Sequence, residues 1–244
     1  MTTAIQASDL HKAFGEQVVL KSVSFSVAKG ETLVVLGRSG TGKSVLLRLL
    51  IGLEVPDSGS IRIQDKEITT LRNEELSATR KKVGYLFQQG ALYDSLTVAE
   101  NVAFPLERHS KLNRAEIKAK VEELLSAVGL EDHARKLPSD ISGGMQKRVA
   151  LARALALDPD ILLFDEPTAG LDPITAGEIG LLILEQRQQR GITSVVVTHD
   201  IHGARAFADR VALLNEGEIV AEGTMADLDK NDNQFVAEFL KGSS

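Results

Sequence analysis

No cysteine occurs among the 244 residues, which excludes disulfides and cysteine-based metal sites and fits a reducing compartment. A basic excess is missing too. Lys and Arg number 28 against 34 Asp and Glu, a net charge of −6, so no chain-wide field for nucleic acid exists and no nucleic-acid partner is expected. No apolar run approaches the roughly 18–20 residues that span a bilayer. The opening MTTAIQASDLHKAF lacks a basic stretch followed by an apolar one, so no secretory signal is expected. Any work at a membrane would then go through a partner. Internal repeats and low-complexity tracts are also lacking. What remains is ordinary globular material, 43% apolar and 25% charged, enough for one large domain with an inserted part.

Periodicity divides the chain into three stretches. Val23, Phe25 and Val27 alternate with Ser22, Ser24 and Ser26, the period of a half-buried strand. Apolar runs at 32–36, 60–63 and 83–87 predict further strands, and Val45, Leu46, Leu49 and Leu50 predict a helix over 43–52. From 97 to 157 the pattern is helical. Thr97-Val98-Ala99-Glu100 has the capping-box form, and Ile117, Val121, Leu124, Leu125 and Val128 recur at helical spacing before a stop at Gly129. The last third alternates again, with strands at 161–164 and 192–197 and helices at 174–190 and 201–208. A hairpin is expected around Asn215-Glu216-Gly217, then short helices at 224–229 and 233–240. Strands alternating with helices predict an α/β fold with a mostly parallel sheet covered on both faces. Residues of about 90–157 read as an inserted helical subdomain, leaving 1–89 and 158–244 as the core of one domain spanning 1–244.

The stretch 37–45 carries the most specific chemistry. Gly37-Arg38-Ser39-Gly40-Thr41-Gly42-Lys43-Ser44 fills every position of the pattern G-x-x-x-x-G-K-[ST], between a strand and a helix that runs on through Val45. Glycines let successive backbone N–H groups turn inward on phosphate oxygens. The helix that follows points its N-terminus at the same anion. Lys43 is placed to reach the β- and γ-phosphates, and the Ser44 hydroxyl to ligate Mg²⁺. The loop therefore reads as a nucleoside triphosphate site of the P-loop NTPase class.

Such a loop needs carboxylates. Ile161-Leu162-Leu163-Phe164 ends in Asp165-Glu166, so a buried strand would carry both acids to its C-terminal edge. Asp165 would hold the Mg²⁺ shell, and Glu166 would orient and deprotonate the attacking water. Two further strand ends are polar. Val195-Val196-Val197-Thr198 leads to His199, which can donate to a γ-phosphate oxygen or serve structurally. Tyr85-Leu86-Phe87 leads to Gln88, which can reach Mg²⁺ or the water.

Ile141-Ser142-Gly143-Gly144-Met145, 20 residues before Asp165-Glu166, resembles the signature of ABC ATPases. Together with Phe14, 37–44, Gln88, 161–166 and His199 in the family's order, it makes the chain similar to ABC transporter nucleotide-binding subunits over almost its whole length. The resemblance implies a RecA-like, mostly parallel sheet core with an antiparallel β subdomain and an inserted α-helical subdomain. It implies a head-to-tail homodimer enclosing two ATP with Mg²⁺, in which Ser142, Gly143 and Gly144 of one subunit meet the γ-phosphate held by the other. Asp172, in Ala169-Gly170-Leu171-Asp172, falls on the family's D-loop. Phe14 resembles the aromatic that stacks on adenine; a place in the core of the first strand is the other reading. Met145 departs from the family's commoner Gln, but the Ser142 hydroxyl and the glycine backbone can still donate, so activity is expected to survive.

"SGGM", the segment 87–106 and Asp172-Pro173-Ile174-Thr175 resemble the MlaF-like branch. That branch implies ATP-driven phospholipid trafficking in the bacterial envelope, on the cytoplasmic side of the inner membrane and peripheral to it. It implies integral permease subunits, an MCE-type lipid-binding protein and a small accessory subunit as partners. Another ABC importer or exporter, or a non-transport ABC complex in division or signalling, is the alternative. Ala91, Leu92, Tyr93, Leu96, Val98 and Phe104 cluster beyond Gln88, as a docking surface for a partner's short helix, as subdomain core, or both. The tail 224–244 is available to contact a neighbour.

Overall fold

In the computed structural model, which describes residues 2–241, the early alternation folds as a twisted antiparallel ribbon. Strands β1 (Thr3–Phe14) and β2 (Gln17–Ala28) pair across a turn at Gly15, with Val23, Phe25 and Val27 buried and the intervening serines exposed. The chain leaves this ribbon for β3 (Thr32–Leu36), then returns to it through β4 (Ser58–Ile63) and β5 (Lys66–Glu67), giving a four-stranded sheet of order β2-β1-β4-β5.

The main sheet joins β3 to β6 (Val83–Leu86), β7 (Ile161–Asp165), β8 (Thr193–Thr198), β9 (Arg210–Asn215) and β10 (Glu218–Gly223), in the order β10-β9-β3-β8-β7-β6. Its neighbours pair parallel, except that β10 returns antiparallel to β9 through the hairpin expected at 215–217. Every residue of β3, β7 and β8 is buried, because both faces of the sheet are covered. Strand parity sorts them into two cores. Val34, Leu36, Phe164 and Val196 face one side, while Leu33, Val35, Leu163 and Val195 face the other.

The second face packs on α1 (Lys43–Leu50), whose Leu46, Leu47, Leu49 and Leu50 lie between the two sheets. A further helix, α2 (Asn73–Arg80), buries only Thr79, and Arg80 fastens it by donating to the Ile51 and Gly52 carbonyls. Three helices between β6 and β7 cover the first face at one end: α3 (Val98–His109), α4 (Arg114–Ala127) and α5 (Gly143–Leu155). Thr97 and Asn113 each complete a reciprocal cap with a glutamate three residues on. The helical pattern of 97–157 is interrupted by 3₁₀ turns at Glu131–His133 and Pro138–Asp140. Further along, α6 (Pro173–Arg190), α7 (Ile201–Phe207), α8 (Met225–Leu228) and α9 (Gln234–Lys241) complete the cover, with Val236 and Phe239 of α9 buried in the first core. Residues 242–244 of the tail lie outside the described residues.

The adjacent strands β3, β8, β7 and β6 all run in one direction. Their C-terminal ends therefore deliver Gly37, His199, Asp165-Glu166 and Gln88 to one edge, where ligands bind in open α/β sheets.

Candidate active site

The loop after β3 is shaped by backbone needs. Gly42 has a φ of +97°, and a Cβ there would stand 2.8 Å from Val19 Cγ1, so only glycine fits between loop and ribbon. No side chain caps α1 at Gly42, which leaves its first-turn N–H groups free to face an anion in the loop. Lys43, 5% exposed, donates to the carbonyls of Gly37 (2.8 Å) and Arg38 (3.0 Å) and sits 3.2 Å from Glu166 Oε1. The Thr41 hydroxyl closes the loop on the Arg38 carbonyl at 2.9 Å.

The acids behave as two different groups. Asp165 Oδ1 accepts from the Ser44 hydroxyl at 2.8 Å, and Oδ2 from the Tyr85 hydroxyl at 3.4 Å. Burial pushes the Asp165 carboxyl above its ordinary pKa, against the opposing hydrogen bond from Ser44. A hydroxyl and a buried carboxylate side by side are hard oxygen donors. A divalent cation of the Mg²⁺ kind, which takes few protein ligands, fits that donor set and would relieve the burial of Asp165. Glu166 is 7% exposed and sits at φ +47°, a left-handed conformation uncommon outside glycine. Its Oε2 accepts from the Thr198 hydroxyl (3.0 Å) and the His199 N–H (3.3 Å), and meets His199 Nδ1 at 2.9 Å. Torsional strain of this sort persists where surrounding bonds hold it, and it clusters at functional sites.

These groups open on a groove of about 530 Å³ whose lining includes Phe14, Ser39, Gly40, Lys43, Gln88 and Glu166. Ser44 and Val45 line it as well. Phe14 is 43% exposed, which sets aside the core reading, and the Lys12 ammonium lies 5.1 Å from its ring centre. Arg38 turns the other way: its guanidinium packs 5.8 Å from the Phe235 ring on α9, so it meets the site through its backbone. The signature residues stand apart from this groove. Ser142 caps α5, accepting from the Met145 N–H at 3.3 Å, and both it and Gly143 are exposed. Gly144 is where α5 presses on α6: a Cβ there would collide with Thr175 Cγ2. Asp172 caps α6 through bonds to the Ile174 and Thr175 N–H groups, both 3.1 Å. It lies beside a separate groove that Gly170, Leu171 and His199 line.

Sequence reasoning missed Tyr85, Thr198 and two cations of α5. Lys147 donates to the Gln88 carbonyl and reaches the Glu166 carbonyl at 3.4 Å. Arg153 donates to the carbonyls of Gly90 (2.7 Å) and Ala91 (2.8 Å). The loop that carries Gln88 is thus tied to the helix that Ser142 begins.

The apolar cluster beyond Gln88 divides. Val98 is buried in the core, whereas Ala91, Leu92, Tyr93 and Phe104 line a groove of about 580 Å³. The rings of Tyr93 and Phe104 meet at 4.7 Å, tilted by 43°, and Arg80, Lys81, His109 and Arg153 supply basic groups on its wall.

Comparison with known proteins agrees with this geometry. The family profile described as ABC transporter matches residues 20–169. The intermembrane phospholipid transport system ATP-binding protein MlaF of Haemophilus influenzae is 40% identical, over 98% of this chain and 91% of that protein. The methionine import ATP-binding protein MetN 2 of Bacillus cereus is 43% identical, over 91% of this chain and 65% of that protein. Among solved structures, the ATP-binding cassette MJ0796, in a dimeric post-hydrolysis state bound to ADP and Pi, superposes with a TM-score of 0.83 at 36% identity, covering 91% of this chain and 98% of that one. The phosphate loop, the acid pair and the capped α5 therefore sit on the P-loop cassette fold, and the chain belongs to the ABC transporter family as an ATPase subunit.

Proposed function

We propose that the chain hydrolyses Mg²⁺-bound ATP in a head-to-tail homodimer and drives a permease that moves phospholipid in the bacterial envelope. Lys43, Ser44 and Glu166 share one groove, with Asp165 bonded to Ser44 and His199 bonded to Glu166 behind it, and this cluster carries the hydrolytic part. The loop 37–45 cradles the phosphates with its N–H groups and the Lys43 ammonium, and Phe14 stacks on the base. Ser44 and Asp165, with Gln88, would hold Mg²⁺, which would supply charge neutralisation to the phosphates when bound. Glu166 takes a proton from the attacking water as the new O–P bond forms and the β–γ bridge breaks, leaving ADP and phosphate. Thr198 and His199 aim the Glu166 carboxylate for that step, and His199, on the exposed side, reaches the γ-phosphate. Ser142 and the Gly143 and Gly144 amides act on the nucleotide of the other subunit, with Asp172 at the same interface. The unit of function is the whole of 1–244, with 1–89 and 158–244 as core and about 90–157 as signature subdomain.

Among the described residues no helix is long and apolar enough to cross a membrane, so we place the chain peripherally at the cytoplasmic side of the inner membrane through its permease. The aromatic groove at Tyr93 and Phe104, with its basic wall, suits a short permease helix bearing an acidic side chain. Near-full-length identity to a phospholipid-transport ATPase supports the cargo, and with it an MCE-type partner and a small accessory subunit. The match to a methionine importer favours a second reading, amino-acid import.

The test is to purify the tagged chain from membranes with its permease and assay turnover. Bound phospholipid and an ATP-trapped dimer for Glu166→Gln are expected. Wild-type turnover by Glu166→Gln removes it as the base, and an amino-acid receptor in the complex with methionine-stimulated hydrolysis replaces the lipid reading.

A further inference from the structure

Lys147 is a charged group at 6% exposure, buried where the helical layer meets the sheet edge. Among the described residues no carboxylate lies within ion-pair distance of it. Its ammonium is satisfied instead by backbone oxygens, those of Gln88 and of Glu166. Burying an ammonium costs several kcal/mol unless it is well bonded, so a residue needed only to fill space there would be apolar. The two carbonyls are 78 positions apart in sequence, and each belongs to a strained segment. Glu166 sits at φ +47°, and Ala91, three residues past Gln88, at φ +48°, left-handed conformations uncommon outside glycine. Lys147 lies on α5 five residues after Ser142, about 7.5 Å along one rigid helix at 1.5 Å per residue.

We infer that Lys147 is a positioning residue for hydrolysis: it ties the backbones of Gln88 and Glu166 to each other and to the helix that Ser142 begins. The inference rests on the roles proposed above for Gln88 and Glu166. When Ser142 engages the other subunit's nucleotide, α5 carries both tethered segments with it. Gln88 and Glu166 then reach their working positions together, and only in the closed dimer. Arg153, bonded to the carbonyls of Gly90 and Ala91 in the same loop, makes the Gln88 segment follow α5 as one piece.

The experiment uses the purified full chain with Lys147→Met, which keeps length and removes the donors, and Lys147→Arg, which keeps them. Misplacement of reacting groups by about 1 Å costs on the order of 100-fold, so Lys147→Met should lower kcat by roughly 10- to 100-fold. Its KM and its Kd for a fluorescent ATP analogue should stay within about 3-fold of wild type, because ground-state binding does not use the tether. Lys147→Arg should recover most of kcat. Lys147→Met with wild-type kcat overturns the inference, as does a parallel loss of nucleotide binding and thermal stability in both variants, which marks a packing role. If Lys147→Met fails to fold, Lys147→Gln carries the same kcat-against-KM readout. Glu166→Gln is run beside them: normal turnover there sinks the underlying reading, whereas a dead Glu166→Gln with a fully active Lys147→Met sinks only the tether.

Discussion

At the scale of single residues, the groove separates binding from chemistry. Phe14 touches neither the acids nor the phosphate loop by any hydrogen bond, yet it lines the same groove with an exposed face. Stacking of a base on an aromatic ring is worth about 1–3 kcal/mol, so Phe14→Ala should weaken ATP binding by roughly 5- to 150-fold. Phe14→Trp should restore it, and kcat should change little in either; equilibrium binding with single-turnover rates checks both. The phosphate loop was legible in sequence because phosphate chemistry dictates residue types at consecutive positions. Tyr85, Thr198 and Lys147 were not, because each meets its partner across 80, 32 and 59 positions, a pairing that only the folded sheet creates. Arg38 lies inside the motif, yet its side chain serves α9.

At the scale of elements, one close contact and a set of caps govern how the helices sit. Gly144 admits α6 so closely that a methyl group would press on Thr175 Cγ2. Overpacking of this kind costs about 1–3 kcal/mol, so Gly144→Ala should lower stability by that amount in urea unfolding. Adding Thr175→Ser, which removes the struck methyl, should return most of it; additive losses would exclude the contact as the cause. The caps give a pH dependence. Bonds from the Thr97 backbone, the Thr175 hydroxyl and the Thr224 hydroxyl hold Glu100, Asp172 and Asp227 below their ordinary carboxylate pKa. A carboxylate depressed in the folded state contributes stability above its unfolded value, near pH 4, and loses it as pH falls through the folded value. Thermal unfolding should therefore hold steady from about pH 8 to 5 and weaken below about pH 4. Asp172→Asn, which caps without titrating, should flatten that slope.

Strong caps and periodic apolar faces made α3, α4 and α6 legible in the sequence. The helix α2 was not, because it buries almost nothing and is pinned by Arg80 instead. The 3₁₀ turns at 131–133 and 138–140 were hidden inside a composition that reads as helical.

At the scale of the whole molecule, the parallel strand ends gather the phosphate loop and the acid pair at one edge while Ser142 stands apart from their groove, and in the proposed dimer these are two halves of one site. Lys43→Ala and Ser142→Ala should each be inactive alone. Mixed in equal amounts they should regain about one working site per mixed pair, because each supplies what the other lacks; strict failure to complement would argue against shared sites. The α/β core with its inserted helices could be read from alternating periods. The order of its strands could not, since parallel neighbours are set by crossovers rather than by local pattern.

If Ser142 completes the groove of a second copy, as proposed above, its placement away from its own groove also fixes a reaction order. A chain that needs a second copy to complete each site obeys a rate law that is second order in protein when dilute and first order once pairs saturate. Specific activity should then climb in proportion to concentration, level off near the dissociation constant of the pair, and shift with that constant when a permease holds two copies together. In a cell, hydrolysis would be silent in subunits that have no transporter to gather them.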